Sequence, residues 1–509
     1  MIELAIMAHY KETEKGQGLF LTVDLMEQLV PGTYEHTLTR LIDNKLDLRI
    51  FDRKYNNDYT GAAAIEPRIL LKIILYCYSI GVISSRKIAK LCKYHMVAKA
   101  LAEDLEPHYT TISNFVSGMG GEIEKVFSEV LLVCDGMGLI GGKMFAIDGC
   151  RLPSNASKEW SGTKEQLAEK YERIKKISRE IIEKHQKNDI TGQEKEADKK
   201  KLQRLEKQEK KILDFLQTRE DRRGAGGDII QSNVTDNESG KIKGPHGVIQ
   251  GYNGLAVADG KSQVIVAANA YGSVSEGQFF PEMLEKTERN MRTVKGENPL
   301  EGTVMLGDNG YFSEDNLQKA KGKGIEAIIP DEQFRNRDDT IKDGERREGK
   351  EKFDARYFKY EKKGNYYICP NGKILKFIGR VKLNRNEGNK YQSNVADCKR
   401  CPYADRCMHS KEKQGKQRTL YIPISKYKEN LAQKMREKID TPKYKRIYSR
   451  RMQIIEPVFA DIQYCKGITR FTLRGQGKVK IQWQLYCLVH NIGKCNMAER
   501  GDRKKKKTA

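Results

Sequence analysis

Two short apolar segments of this chain each end in an aspartate that is followed by Gly or Asn-Gly. Residues 143–148 read KMFAID, and residues 303–308 read TVMLGD. Apolar runs of this length predict buried strands, and a carboxylate at the C-terminal end of such a strand is presented into a cleft. The glycine lets a backbone or a substrate approach closely. We therefore predict an α/β fold with Asp148 and Asp308 on neighbouring strands.

Paired carboxylates on neighbouring strands can bind hard cations through their oxygen atoms. Mg²⁺ takes oxygen ligands and keeps positions open for phosphate and water. Two ions about 3.5–4 Å apart can hold the attacking and leaving oxygens of an in-line phosphoryl transfer. The competing interpretation is a capping or turn aspartate, which is the commoner role of an Asp at a strand end.

The balance of charge points to an anionic partner. The 509 residues include 93 Lys and Arg against 69 Asp and Glu, a formal net charge of +24. A field of this sign favours nucleic acid, with an anionic membrane surface as the second candidate and a merely soluble basic protein as the third. No apolar run approaches the roughly 18 residues needed to span a bilayer, so we expect no membrane partner.

The N-terminus and the cysteines indicate a cytoplasmic location. The opening sequence MIELAIMAHYKETEKG lacks the basic start and the long apolar stretch of a secretory signal. The chain has 11 cysteines, an odd number and mostly scattered singly, which suits a reducing compartment.

The changing texture of the sequence divides the chain into five segments, somewhat more than the three or so domains that length alone suggests. They are an N-terminal helical, DNA-binding domain at 1–140, the first part of an α/β core at 141–334, an inserted basic Cys-rich module at 335–425, the final part of the core at 426–495 and a basic disordered tail at 496–509.

The region 66–117 predicts a compact set of helices. Ser84 and Ser85 are candidate N-caps for the segment SRKIAKLCKYH, and HYTTISNFVSG forms a further helix. Short capped helices are typical of a helix-turn-helix DNA reader, and an ordinary helical bundle is the alternative. As a DNA reader, the region would contact DNA through Arg86 and Lys87.

Residues 164–218 predict a charged, antiparallel helical hairpin. Apolar residues recur every three or four positions on both sides of a polar NDITG break. Such a hairpin can lie on DNA, but we favour a solvated insertion.

Four cysteines of the inserted module form a candidate metal site, listed here in chain order: Cys369 in ICPNGK, then Cys398, Cys401 and Cys407 in DCKRCPYADRC. One C-x₂-C with two further thiols suits a closed tetrahedral Zn²⁺ site. The region has few core residues, so a structural metal would help it fold. His409 is a substitute ligand, and four free or buried thiols are the alternative.

Longer segments extend the aspartate pattern: FAIDGCRLPSNAS, GYNGLAVADGKSQVIVA, MLGDNGYFSEDNL and EPVFADIQYCKGITRFTLRG, in this order. In these four segments the chain resembles bacterial insertion-sequence transposases of the DDE class. The resemblance extends across roughly residues 60–495, with one long insertion. The segment from PRILLKIILYCYSIG to PHYTTISNF is similar to the N-terminal helical region of that family.

This resemblance implies a ribonuclease-H-like core, a mixed sheet with flanking helices. It places the catalytic residues at Asp148, Asp308 and Glu456, which would bind two Mg²⁺ or Mn²⁺ ions. One ion would activate water to cut at a transposon end, and the freed 3′-hydroxyl would attack target DNA. The implied partners are double-stranded DNA with terminal inverted repeats and a second copy of the chain, in a homodimer on DNA.

The residues around Glu456 depart from the spacing of the family. Relatives have a Tyr, an Arg, the Glu and a Lys at fixed intervals. Here Tyr448 and Arg451 each lie one residue further from Glu456, and the Lys position falls on Gln463, with Lys466 three residues later. The resemblance gives auxiliary roles to Tyr448, Arg451 and Lys466.

Pro457 disfavours helical geometry at Glu456 and removes a backbone donor, so we expect a helix to begin or kink there. Phe459 and Ile462 are predicted core anchors, and Asp461 is the alternative carboxylate.

Two arginines follow in GITRFTLRG, Arg470 and Arg474. Because Arg can hold phosphate with two hydrogen bonds, we predict that they contact DNA; as surface residues they would still add charge.

Three functions stay open on the sequence. The first is an active transposase, the second a domesticated or inactive transposase-derived DNA-binding protein, and the third a metal-dependent DNA nuclease without strand transfer. The 8 histidines include no obvious nucleophile-activating pair, so a nucleophilic hydrolase ranks low.

Overall fold

The computed structural model describes residues 24–55, 63–187, 192–224, 227–244, 247–272, 275–337, 353, 355–383, 386–408, 417–424 and 430–508. His409 lies outside this set. The helices are α1 (Tyr34–Asn44), α2 (Pro67–Ser79), α3 (Ser85–Tyr94), α4 (Met96–Leu101), α5 (Tyr109–Gly118), α6 (Glu122–Gly136), α7 (Lys164–Lys187), α8 (Gly192–Thr218), α9 (Phe280–Lys295), α10 (Glu314–Gly322), α11 (Phe334–Arg337), α12 (Val395–Lys399), α13 (Ala404–Cys407), α14 (Leu431–Ile439), α15 (Pro442–Ala460) and α16 (Gln476–Thr508). The strands are β1 (Met144–Pro153), β2 (Ser161–Gly162), β3 (Arg222–Arg223), β4 (Ile229–Ile230), β5 (Ser232–Asn233), β6 (Gly240–Gly244), β7 (Gly247–Asp259), β8 (Ile265–Tyr271), β9 (Val304–Leu306), β10 (Glu326–Ile328), β11 (Lys359–Glu361), β12 (Tyr366–Ile368), β13 (Ile374–Leu383), β14 (Asn386–Gln392) and β15 (Thr419–Pro423).

A mixed sheet lies at the centre of the fold, as the sequence predicts. Strand β7 pairs antiparallel with β1 on one edge and with β8 and β6 on the other. Strand β9 runs parallel to both β1 and β10. The order across the sheet is therefore β8-β7-β1-β9-β10, with the antiparallel strands on one side and the parallel strands on the other.

The last helix joins the sheet to the N-terminal helices. The middle of α16 is apolar on all sides, which is typical of a buried helix; it packs against β8 and also against α2 and α6. Helices and sheet therefore share one continuous hydrophobic core. The helix continues to Thr508, which corrects the expectation of a disordered tail at 496–509.

The indole of Trp483 anchors α16 to the sheet. Its Nε1 donates a 2.8 Å hydrogen bond to the Leu255 carbonyl, and its ring covers Gly254. A Cβ at Gly254 would lie 2.7 Å from ring atoms of Trp483, so glycine is needed for this close approach.

The Cys-rich region contains more regular structure than its polar sequence suggests. Strands β11 to β15 form a separate five-stranded antiparallel sheet. It encloses a small, largely aromatic core of Phe353, Phe358, Leu375, Tyr391 and Leu420. This core is small, in keeping with the few core residues that the sequence offers, and Phe353 and Phe358 reach it from outside the strands.

The predicted hairpin at 164–218 is present as α7 and α8. The two helices are antiparallel, because Lys184 lies 2.6 Å from Glu194 at one end and Lys164 lies 3.4 Å from Glu220 at the other. The hairpin has its own apolar seam between the helices.

Helix α15 runs through Pro457 without ending, so the expectation of a helix start at Glu456 is wrong, and the alternative of a kink there stays a prediction. The helix begins at Pro442 instead, and it ends in a π-helical turn at Asp461–Cys465. Phe459 and Ile462 are buried, as predicted. Among the described residues, no helix is long and apolar enough to cross a membrane.

Candidate active site

Asp148 and Asp308 lie side by side on two adjacent inner strands of the sheet. Asp148 lies within β1, which continues to Pro153, so the prediction that this strand ends at Asp148 is wrong; Asp308 lies two residues after the end of β9. Ala146 of β1 pairs with Leu306 of β9, and each carboxylate lies two residues beyond that pair. Adjacent strands are about 4.8 Å apart, so the two side chains are neighbours. The structure thus brings together the two aspartates that the sequence singles out.

The environment of Asp308 disfavours its charged form. Burial raises its pKa, the charge of Asp148 raises it further, and Arg451 partly opposes both. Two carboxylates in one poorly solvated place each disfavour ionisation of the other. A bound cation would relieve this repulsion.

Asp308 also caps a turn, which is the competing interpretation of a strand-end aspartate. Its Oδ1 accepts a 2.9 Å hydrogen bond from the Gly310 amide and caps the 3₁₀ turn Asn309–Tyr311. This bond engages one of the two carboxylate oxygens, so the capping role and a cation-binding role are compatible.

Arg451 connects Asp148 to the third predicted carboxylate. Its Nη1 donates a 2.7 Å hydrogen bond to Asp148 Oδ2, and its Nη2 lies 3.8 Å from Glu456 Oε1. Burial lowers the pKa of Arg451, but Asp148 and Tyr448 more than offset this and raise it overall. The guanidinium is therefore a permanent cation between Asp148 and Glu456.

Glu456 lies on α15 next to Arg451. Ile454, Ile455 and Val458 bury one side of this helix, which packs on β1 and β7. Glu456 is on the other side, and 53% of its side chain is exposed.

The two remaining auxiliary candidates, Tyr448 and Lys466, contact different residues. Tyr448 is beside Arg451; burial raises its pKa despite the opposing charge of Arg451, and its ring packs edge-on against Phe334 at 5.5 Å. Lys466 forms a 2.5 Å ion pair with Asp461, so it is engaged with the alternative carboxylate.

Gln463, at the Lys position of the family pattern, contacts the strand of the first aspartate. Its Nε2 donates to Cys150 Sγ, and Cys150 is two residues beyond Asp148, on the same face of β1.

Glu276 is a fourth carboxylate at this site that sequence reasoning missed. Burial raises its pKa, and the charges of Asp148 and Asp308 raise it further. Its Oε2 accepts a 3.2 Å hydrogen bond from Tyr311, and its Oε1 lies 3.7 Å from Arg151. In sequence it is an ordinary acidic residue before α9, so only the packing of β8 and α9 reveals it.

Gly149 makes room for a further polar group. A Cβ there would lie 2.6 Å from Asn253 Oδ1, so the glycine after Asp148 allows Asn253 to pack against β1. Asn253 is 1% exposed, and its Oδ1 accepts no hydrogen bond from the part of the chain that the structure describes.

The predicted DNA contacts are exposed. Arg470 and Arg474 lie before α16, and Arg474 Nε donates a 2.8 Å hydrogen bond to the Asn155 carbonyl. Arg86 and Lys87 are exposed at the start of α3, where the Arg86 guanidinium lies 4.7 Å from the centre of the Tyr109 ring on α5.

The four cysteines of the inserted module converge on one cavity of about 20 Å³. The amide of Lys373 donates to Cys369 Sγ at 3.3 Å, and that of Arg418 donates to Cys398 Sγ at 3.4 Å. Burial raises the pKa of the Cys407 thiol to about 11, with the other three thiols adding to the shift and Arg418 opposing it.

Neither the carboxylate site nor the four-cysteine site has the side-chain arrangement of a bound metal ion. Within the described ranges, no three His, Cys, Asp or Glu side chains are arranged to hold a metal ion. At the aspartates, Arg451 lies between Asp148 and Glu456, so Glu456 would have to turn inward to share an ion with them.

The fold and the site together define an α/β protein with an acidic cluster on two adjacent parallel strands, within β1 and just after β9. A family model described as "Transposase DDE domain" matches residues 368–496, and one described as "Transposase domain (DUF772)" matches residues 24–118. The two matches support an insertion-sequence transposase of the DDE class. Comparisons with curated proteins and with solved structures found no match.

The two matched regions contain separate parts of the molecule. The first contains the four clustered cysteines, α15 with Glu456, and most of α16; the second contains α1 to α5. These matches support a DNA transposase in general terms.

Proposed function

We propose that this chain is an active transposase with a ribonuclease-H-like core, in which Asp148, Asp308 and Glu456 bind two Mg²⁺ or Mn²⁺ ions. The observation that carries the proposal is the parallel register of β1 and β9, which sets Asp148 beside Asp308. The strand order β8-β7-β1-β9-β10 supports the core, and the Arg451 bridge to Glu456 supports the third ligand.

The bound ions would supply a water activated for attack and positive charge beside the scissile phosphate. The residues of the chain position these partners. Arg451 keeps Glu456 within reach of Asp148, and Tyr311 holds Glu276 beside the aspartates. The exposed carboxylate of Glu456 leaves the cleft open to a duplex.

For DNA, we propose that the chain binds terminal inverted repeats, cuts at the transposon ends and joins the 3′-hydroxyl to target DNA. Arg86 and Lys87 of α3 and the pair Arg470 and Arg474 are the proposed contacts. A homodimer on DNA follows from the need to bring two ends together. A cytoplasmic location is supported by the scattered cysteines. The segment boundaries given above stay predictions.

We also propose a structural Zn²⁺ on Cys369, Cys398, Cys401 and Cys407. The convergence of the four thiols supports it, together with the backbone amides that point at two of the sulfurs, because such amides stabilise metal-bound thiolates.

The test compares Asp148→Asn and Asp308→Asn with wild type on a duplex that carries the flanks of the gene. Both variants should bind the duplex with nearly wild-type affinity and lose Mg²⁺-dependent cleavage, because the side chains are proposed to hold metal rather than phosphate. Glu437→Gln, at an exposed position on α14, is the matched control and should cut normally. Loss of duplex binding in both Asp variants would contradict the assignment.

A further inference from the structure

One face of α8 is a row of exposed cations. Lys200, Arg204, Lys207 and Lys211 are exposed, and their spacing of four, three and four residues places them along one side of the helix. By the same spacing, the acidic residues of this stretch fall on other sides. The row extends about 16 Å at 1.5 Å per residue.

The row lines a groove rather than a convex surface. Its volume is about 450 Å³, and the other lining residues are Gln203, Gln208 and Trp160. The Trp160 ring has Lys170 Nζ 4.4 Å and Lys211 Nζ 5.7 Å from its centre. The basic groove therefore combines cations, amides and an indole, groups that suit a phosphate backbone.

The charges in the basic groove are mostly unneutralised. Lys200 lies 3.8 Å from Glu196, with both side chains exposed. Arg204, Lys207 and Lys211 form no ion pair with any residue in the described ranges, and Lys211 Nζ instead donates to Thr235 at 2.8 Å. By contrast, Lys184 on α7 is paired with Glu194 at 2.6 Å.

The basic groove continues towards the candidate active site. Lys211 is close enough to Arg474 for the two charges to interact, and Arg474 is hydrogen-bonded to the Asn155 carbonyl. Asn155 follows Asp148 by seven residues of mainly extended chain, at most roughly 23 Å at 3.3 Å per residue. A duplex engaged at Asp148 is long enough to pass Arg474 and reach the groove.

We propose that the basic groove of α8 binds the phosphate backbone of the DNA duplex whose end is held at Asp148 and Asp308. This inference rests on the proposed function and adds a second contact surface to it. It also replaces the solvated insertion favoured by the sequence, because a groove with unpaired cations next to Arg474 needs an anionic partner more than a solvated face does.

The experiment measures how salt affects binding of a fluorescent 40-base-pair duplex of random sequence to the full chain. The groove variant carries Lys200→Gln, Arg204→Gln, Lys207→Gln and Lys211→Gln. The control variant carries Lys176→Gln, Arg179→Gln, Lys195→Gln and Lys199→Gln, which remove four exposed cations of the same helices outside the groove. Gln keeps nearly the helix propensity of Lys and Arg.

Each phosphate contact contributes about 0.9 to the slope of log K against log salt. The groove variant should therefore lose about 3.6 from this slope and, at 0.1 M salt, about tenfold or more in affinity. The control variant should stay close to wild type. Equal slopes for the two variants would overturn the inference while leaving the proposed function standing. Failure of wild type to bind any duplex would overturn both.

A cross-linking measurement keeps the inference testable if the groove variant folds poorly. A photoreactive phenylalanine is placed at Gln203, within the groove, or at Arg179, exposed on α7 and outside it, in otherwise wild-type chains. The inference expects the duplex to cross-link at position 203 and at least fivefold less at position 179. Equal yields, or preferential capture of RNA over the duplex at position 203, would contradict it.

Discussion

The side chain of Gln263 donates a 2.8 Å hydrogen bond to the carbonyl of Gln453. In a regular helix that carbonyl accepts from the amide of residue 457, and Pro457 has no amide hydrogen. Gln263 lies in the turn between β7 and β8 at a φ of 62°, and its own carbonyl contacts His490 of α16 at 2.9 Å. Gln263 therefore connects α15, which carries Glu456, to the sheet at the point where Pro457 leaves the Gln453 carbonyl without its helical hydrogen bond.

We predict that Gln263→Ala lowers the free energy of unfolding by about 1 kcal/mol, the typical net value of one such hydrogen bond. In a Pro457→Ala background the amide hydrogen returns, so the same substitution should cost clearly less. Urea denaturation of the four chains in a double-mutant cycle measures the difference. An equal cost in both backgrounds would show that Gln263 does not replace the missing bond.

This contact explains how α15 continues through Pro457. A proline in a helix is unfavourable by local rules, and those rules led to the expectation that a helix begins or kinks at Glu456. The compensating donor lies 190 positions earlier in the chain, where no local pattern connects it to Pro457. The aspartates were found more easily, because a short apolar run that leads into a carboxylate is a local signal.

A second prediction concerns the packing of the Trp483 ring on Gly254. Gly254→Ala should destabilise the protein by about 1–3 kcal/mol, as overpacking does in tight cores, because the new methyl would press on the indole. Gly136→Ala is the matched control, since a Cβ at that helical position meets no atom within 4 Å. Thermal unfolding of both variants measures the contrast, and equal melting temperatures would contradict this packing account.

The strands of the second sheet were missed for a physical reason. The strands β11 to β15 are short and rich in polar residues, and they surround a very small core, so the polar composition hides the strand pattern. The cysteines were recognised because their spacing is local. Glu276 was missed because it lies beside the aspartates only after three strands and a helix have packed together.

For the inserted sheet, we predict that Cys401→Ser lowers the melting temperature and abolishes its response to a chelator. Wild type should lose stability when the chelator is added, because metal binding contributes to folding. Elemental analysis of the purified chain gives an independent readout, with one zinc per chain expected. Unchanged melting of wild type with and without chelator would remove the zinc proposal.

The stability of the chain should fall in acid partly through Asp461. Burial opposes its ionisation, but hydrogen bonds from His490 and Lys466 lower its pKa to about 2. A carboxyl group whose pKa is lowered by folding stabilises the folded state at pH values above its unfolded pKa, which is about 3.9 for Asp. For Asp461 this contribution is about 2 kcal/mol, and it is lost as the pH falls through the folded pKa. Urea unfolding from pH 5 to pH 3 should show a shallower pH dependence for Asp461→Asn. Parallel curves would contradict this assignment.

The most direct test of the central claim is an assay of cleavage and joining. A DNA fragment that carries the flanks of the gene is incubated with target DNA and Mg²⁺, and wild type is compared with Asp308→Asn. The account predicts cuts at two discrete ends and covalently joined products with wild type, both absent with the variant. Binding without metal-dependent cutting would contradict it and favour a DNA-binding protein with an inactive core, and cutting without joining would indicate a nuclease.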